Sequence, residues 1–285
     1  MHERQQIYQR RQAGAPPPWT TDPILRQYKA CNVYREQDKV TRWIRENWQE
    51  PFATHPNLWF AMCIARHINW PPTLAEIGFP EEWNPRRVLR VMERRVARGQ
   101  KVYSGAYLLG GGNREGLKKP RYTIMNVLNP VFRAVTTGKQ TPPWEDGKHI
   151  EEVTLEAVHA WLLQFWGWGR FLAYETVTDL RHTRYLCNAP DIMTWANAGP
   201  GAQRGLNRIY GRELRSHHKA DQLLDEMRTV LDWISRERDV ALLPTMEIRD
   251  IEMSLCELDK FCRAKERLAA GKIVGLDRYV PPGLV

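Results

Sequence analysis

Two glycines, at positions 167 and 169, interrupt what would otherwise be one long apolar helix, and this break constrains the fold more than any other feature. Residues 157–166 read AVHAWLLQFW with apolar side chains at helical spacing, Gly167-Trp168-Gly169 ends the pattern, and it resumes over 171–180. Glycine supplies a positive φ or room for a close neighbour, so the simplest object is two helices joined by a tight hairpin. Amides at the start of a helix have no partner within it and can hold a phosphate. The sequence therefore predicts a helix-hairpin-helix in which Gly167, Trp168, Gly169 and Arg170 face a nucleic-acid backbone. An ordinary corner between helices has the same local pattern, and Trp168 at the tip either wedges into a duplex or caps the core.

The rest of the chain can build a body around that hairpin. With 285 residues, 42% of them apolar and 10% aromatic, it can fill a substantial core, and 12 tryptophans are too many to serve mainly as stacking platforms. A net charge of +9 favours a polyanionic partner such as DNA. Five cysteines without a CxxC pair or zinc spacing fit reduced thiols in a cytoplasm. No run reaches the roughly 18 apolar residues of a membrane span. Residues 1–21 are polar and end in three prolines, predicting a disordered N-terminal segment. Residues 22–270 read as a single helical domain with a central cleft between lobes of roughly 22–150 and 151–270, followed by an extended tail over 271–285. With no strand-rich region the fold class is all-α.

Polar residues then mark candidate sites on predicted helices. The apolar spacing predicts helix over 24–44, carrying Asn32, Arg35, Glu36, Asp38 and Lys39; the plain alternative is a solvated face with local ion pairs. A second helix over 57–70 places Arg66 and Asn69 on one side, and a buried arginine must be paired or face a cleft. Residues 84–100 carry Arg87, Arg90, Arg94 and Arg98 at helical intervals with Glu93 as the acidic exception, a stripe suited to tracking phosphates or simply to facing solvent. The glycine-rich stretch 105–119 lacks a P-loop, since Leu117 stands where its lysine belongs. With Lys118, Lys119 and Arg121 beyond it, that stretch either cradles a pyrophosphate or is a surface loop. Further on, 122–136 reads as helix and Thr154 as an N-cap. Residues 198–206 hold glycines and a proline and predict a tight loop, with Arg204 closing on a phosphate or on Asp191. Amphipathic helices follow over 221–236 and 245–268, the second starting in a capping box with Glu247. Glu257 and Lys260, three apart on it, can simply pair.

Several of these stretches carry a resemblance. The hairpin resembles that of the all-α DNA glycosylase superfamily, in which a catalytic aspartate follows the second helix; here Asp191 lies 22 residues after Gly169. Asn32-Val33-Tyr34-Arg35-Glu36-Gln37-Asp38-Lys39, Gly105-Ala106-Tyr107, the hairpin, Ala198-Gly199-Pro200-Gly201 and Leu255-Cys256-Glu257-Leu258-Asp259-Lys260 together resemble the phage α-glutamyl/putrescinyl thymine pyrophosphorylases. That family includes amino acid:DNA transferases and the helical domain attached to some 5-hydroxymethyluracil DNA kinases. The resemblance covers about 25–263.

It implies replacement of a (pyro)phosphate on the 5-methylene of a modified thymine in DNA by an amine, in the cytoplasm of an infected bacterium. The partners implied are DNA, a free amino acid or polyamine and a 5-hydroxymethyluracil DNA kinase, with no membrane. Such a substitution needs a base flipped from the duplex, cations for the leaving group and a carboxylate to take the amine's proton. Asp191 is the first expected base, with Asp38 and Glu175 behind it and Asn32 and Arg35 beside them; Glu175 can equally be a surface charge. Arg66, Asn69, Tyr107, Lys118, Lys119 and Arg204 are expected at the leaving group. Gly167, Trp168, Gly169, Arg170, Gly199, Gly201, Arg87, Arg90 and Arg94 are expected on DNA. Glu257, Asp259 and Lys260 enter through the family motif. No metal-ligand cluster stands out, although Mg2+ or another cation can bridge a pyrophosphate or sit at the hairpin. A base-excising glycosylase and a non-catalytic DNA-binding module are the alternatives.

Overall fold

A computed structural model describes residues 1–27, 30–105, 118–147, 149–236 and 245–272. Its helices are α1 (His2–Gln12), α2 (Lys39–Ile44), α3 (Leu58–Ile68), α4 (Pro71–Ile77), α5 (Pro85–Ala97), α6 (Lys119–Arg121), α7 (Asn129–Thr136), α8 (Leu155–Leu162), α9 (Arg170–Leu180), α10 (Pro200–Ile209), α11 (Ala220–Arg236) and α12 (Ile248–Ala269). Wider π-helical turns continue α2 over Arg45–Gln49 and join α6 to α7 over Tyr122–Leu128. No strand occurs among the described residues, so the protein is all-α there. The chain divides into one unit of residues 1–38 and 196–285 and another of 39–195. This division differs from the expected lobes, because the N-terminal segment joins the last three helices.

The 39–195 unit is built around α3, every residue of which is buried. Pro71 ends that run by starting α4, after Asn69 has taken a left-handed turn at φ 48°. Helices α3 and α9 pack together, and Trp59, Trp144 and Trp161 form an aromatic cluster beside α8 with ring centroids 5.6 to 6.0 Å apart. The tryptophans there are core anchors, as their number predicted. Thr154 caps α8 by accepting from Ala157 N.

The other unit departs from expectation at three places. Residues 1–21 are not featureless, since α1 forms and Arg4 ties it to the carbonyls of Cys31 and Asn32. Residues 24–44 are not one helix: an Asp22-capped turn comes first, then a short 3-10 turn over Arg35–Gln37, and α2 starts only at Lys39. The expected loop over 198–206 is mostly helix α10, with Pro200 at its first turn, where proline's missing N–H costs nothing. Helix α12 begins at Ile248 and not near Thr245, with Glu247 as the N-cap of a capping box in which Glu247 and Asp250 exchange side-chain bonds with each other's backbone.

Candidate functional site

Helix α12 gathers the side chains of the 196–285 part that the sequence singled out. The segment 31–38 lies along it, held by three of its residues. Glu257 Oε2 accepts from Cys31 N at 3.3 Å, Asp250 Oδ1 accepts from Arg35 N at 3.1 Å, and Arg249 pairs with Glu36 at 2.7 Å. The segment also closes on itself: Asn32 N donates to Asp38 Oδ1 at 3.2 Å, and the Asn32 amide donates to Gln37 O at 2.8 Å. Asn32, Arg35 and Asp38 therefore share one compact loop instead of one helix face. Burial pushes the Asp250 carboxyl above its usual range, against the lowering effect of Arg249 and of the two backbone amides it accepts from.

The middle of α12 meets α10 at unusually close range. A Cβ on Gly205 would stand 2.3 Å from Leu255 O, and one on Gly201 would stand 2.4 Å from Cys256 Sγ. Gly201 was expected on DNA; its local role is to let α10 approach α12. Gly199 N donates to Glu252 Oε1 at 3.2 Å, again toward α12. The approach brings Arg204 to Asp259, not to Asp191, with Nε to Oδ2 at 2.7 Å. Asp259 is fully buried and also holds Arg208 and Arg263, each at 3.1 Å. Burial raises its pKa, but the arginine bonds outweigh that and hold the carboxyl below its usual range. Two residues earlier on α12, the buried Glu257 takes Lys260 Nζ at 2.8 Å.

In the 39–195 unit a turn over 163–169 joins α8 to α9, so the first helix ends at Leu162 and not at Trp166, and the turn's residues divide the work differently from expectation. Gly167 has φ +80°, and a Cβ there would meet Val127 Cγ2 at 2.7 Å, so it serves both reasons for glycine. Gly169 serves neither: its φ is −94° and a Cβ would meet open space, so it is an uncapped start to α9. Trp168 caps the core and is no wedge, being 6% exposed with its ring 4.4 Å from that of His67. His67 is buried; burial lowers its pKa to about 4, and its Nδ1 donates to Cys63 O. The aromatic side chains that face outward are Trp166, 59% exposed, and Phe171, 46% exposed, beside the exposed Arg170. Their positions on either side of the glycine pair were the available signal.

The remaining expected residues separate clearly. Arg66 is the paired arginine of the two options, fully buried and bound through Nε and Nη2 to Asp179, with Thr41 and Asn69 taking further bonds. Asn69 also donates to Ser104, so both expected leaving-group ligands are occupied in holding α3 to its neighbours. Asp191 accepts from Leu155 N at 2.8 Å and Glu156 N at 3.0 Å, which caps α8. Glu175 is buried in α9, so it is no surface charge. Arg87, Arg90 and Arg94 stand exposed along α5, while Arg95 turns inward to Glu76. Lys118 precedes α6, and Lys119 lies over the Tyr103 ring at 4.1 Å, its pKa lowered by burial. Tyr107 lies outside the described residues. No group of three His, Cys, Asp or Glu is placed to hold a metal among those residues.

With that geometry in view, residues 1–270 match the protein family described as 5-hmdU DNA kinase, helical domain. The chain belongs to that family. A relative, the 5-hmdU DNA kinase of Bacillus phage SP10, is 26% identical over 233 residues, which are 73% of this chain and 34% of the relative. The chain thus spans about a third of that kinase's length. No solved structure matches. In this member of the helical-domain family, a groove of about 750 Å³ runs beside the α12 cluster, its walls including Leu25, Ile209, Trp233, Glu257, Leu258 and Phe261. The volume is in the range of small-ligand sites. Among the described residues, no helix is long and apolar enough to cross a membrane.

Proposed function

We propose that this chain acts in the hypermodification of thymidine in phage DNA, replacing a phosphate or pyrophosphate on the 5-methylene of a modified uracil by an amine. The observation that carries the reading is the gathering of 31–38, 199–204 and 257–260, three stretches far apart in sequence, around α12. The polar side chains that these stretches bring together, Arg204, Glu257, Asp259 and Lys260, have a reason to converge if they act on one ligand. The family match to a helical domain, and the lack of a P-loop in 105–119, favour chemistry other than phosphoryl transfer from ATP.

In this reading the amine nitrogen attacks the exocyclic methylene carbon, the bond from that carbon to the phosphate oxygen breaks, and the amine's proton passes to a carboxylate. Asp38 is the base we favour, because Asn32 N holds its carboxylate within the same compact loop as Arg35. Arg35 and Arg204, both in the unit that holds α12, stabilise the departing phosphates. The groove beside Glu257 takes the amine along its aliphatic length. Arg87, Arg90, Arg94, Arg170, Trp166 and Phe171 hold the DNA, with base eversion exposing the methylene.

The test is incubation of the chain with DNA containing 5-(pyrophosphoryloxymethyl)uracil and a panel of amino acids and polyamines, followed by nucleoside mass analysis. Aminomethyl nucleosides are expected. Abasic sites would indicate a glycosylase, and unchanged DNA a binding module; either result rejects amine transfer.

A further inference from the structure

Three arginines converge on one buried carboxylate at the α10 and α12 crossing, and this arrangement has more positive charge than it needs for itself. Asp259 is fully buried, and Arg204, Arg208 and Arg263 each reach it through Nε, at 2.7, 3.1 and 3.1 Å. Arg208 also pairs with Glu266 at 2.7 Å, yet its Nη2 is buried without a hydrogen-bond partner. Side-chain exposure is 34% for Arg204, 15% for Arg208 and 50% for Arg263, so the cluster opens to solvent on one side. Three cations against two carboxylates leave one net positive charge within a few residues.

The backbone explains how the cluster is aimed. Arg204 and Arg208 are one turn apart on α10, and Asp259 and Arg263 are one turn apart on α12, so each pair faces along its helix. Gly201 and Gly205 bring α10 close enough for Nε contact. Arg204 and Arg263, held through Nε and partly exposed, present their terminal nitrogens beyond the carboxylate, and that fork matches the oxygens of a phosphate, while Arg208 is engaged with Glu266.

We infer that Arg204 and Arg263, oriented by Asp259 beside Arg208, form a phosphate-binding site. Its ligand is a phosphate group, from either inorganic pyrophosphate released by a reaction or the backbone of DNA. Asp259 is a positioning residue: it aligns the arginines and does not touch the anion. The inference extends the reading of Arg204 given above, but it does not require amine transfer, because phosphate binding can be measured with no amine present.

Calorimetric titration of the whole chain with inorganic pyrophosphate, and fluorescence anisotropy with an unmodified DNA duplex, test it in two arms. Arg204→Gln with Arg263→Gln is compared with Arg90→Gln with Arg94→Gln, which removes the same charge from α5. Each variant is checked by thermal melting. A tenfold or greater loss of pyrophosphate affinity confined to the first pair supports the site and assigns it to pyrophosphate. A similar loss confined to DNA, and larger than that caused by the α5 pair, supports it and assigns it to the backbone. Wild-type affinity in both arms, or equal losses from the two pairs, overturns it. Asp259→Asn should reproduce the loss if it folds; the arginine pair decides the matter if it does not.

Discussion

At the scale of single residues, the environment of each polar group separates structural work from chemistry. Asp191 illustrates this. Both of its oxygens accept amide hydrogens from the first turn of α8, a capping role whose loss typically costs about 1 kcal/mol. Asp191→Ala is therefore expected to lower the melting temperature by roughly 2–4 °C, the scale for a domain of about this size. An unchanged melting temperature would remove the cap from the account. Arg66 is similar: the sequence left open whether it was paired or facing a cleft, and its partner Asp179 lies 113 residues away. No local pattern could have named that partner, because the pairing exists only once α3 and α9 pack. Trp166 and Phe171 were legible in kind but not in place, since spacing alone does not say which aromatic of the hairpin turns inward.

At the scale of elements, the breaks were easier to read than their purposes. The hairpin was legible because Gly167 needs both its positive φ and the space beside Val127. Helix α10 was not, because its glycines and proline read as breakers; Pro200 instead starts the helix, and Gly201 and Gly205 pack against α12. The run over 24–44 was misread for a related reason. Ile24 is buried with Ala264 near Phe261 of α12, so its apolar character reports a tertiary contact and no helical stripe. Gly205→Ala is expected to destabilise the 1–38 and 196–285 unit by about 1–3 kcal/mol, because the atom a Cβ would meet at 2.3 Å is a backbone oxygen. The gain in helix propensity, about 1 kcal/mol at most, does not offset it. Gly169→Ala, with open space and φ −94°, should stay within about 1 kcal/mol of wild type. Urea denaturation of the two variants side by side checks the contrast, and equal losses would contradict it.

At the scale of the whole molecule, the all-α class and the basic character were legible from composition and periodicity, whereas the unit boundaries were not. Residues 1–38 join 196–285 through contacts more than 200 positions apart, such as Cys31 with Glu257 and Arg35 with Asp250. The consequence for function is that the motif-bearing loop and α12 form one cluster in that unit, while Asp191 and the hairpin belong to the other. In the proposed reaction, the carboxylate chemistry belongs to the first unit and the DNA grip to the second. The most direct measurement is the yield of aminomethyl nucleoside from pyrophosphorylated DNA, compared between Asp38→Asn and Asp191→Asn at matched thermal stability. The account predicts a hundredfold or greater loss for Asp38→Asn and a yield within a fewfold of wild type for Asp191→Asn; the reverse order would contradict it.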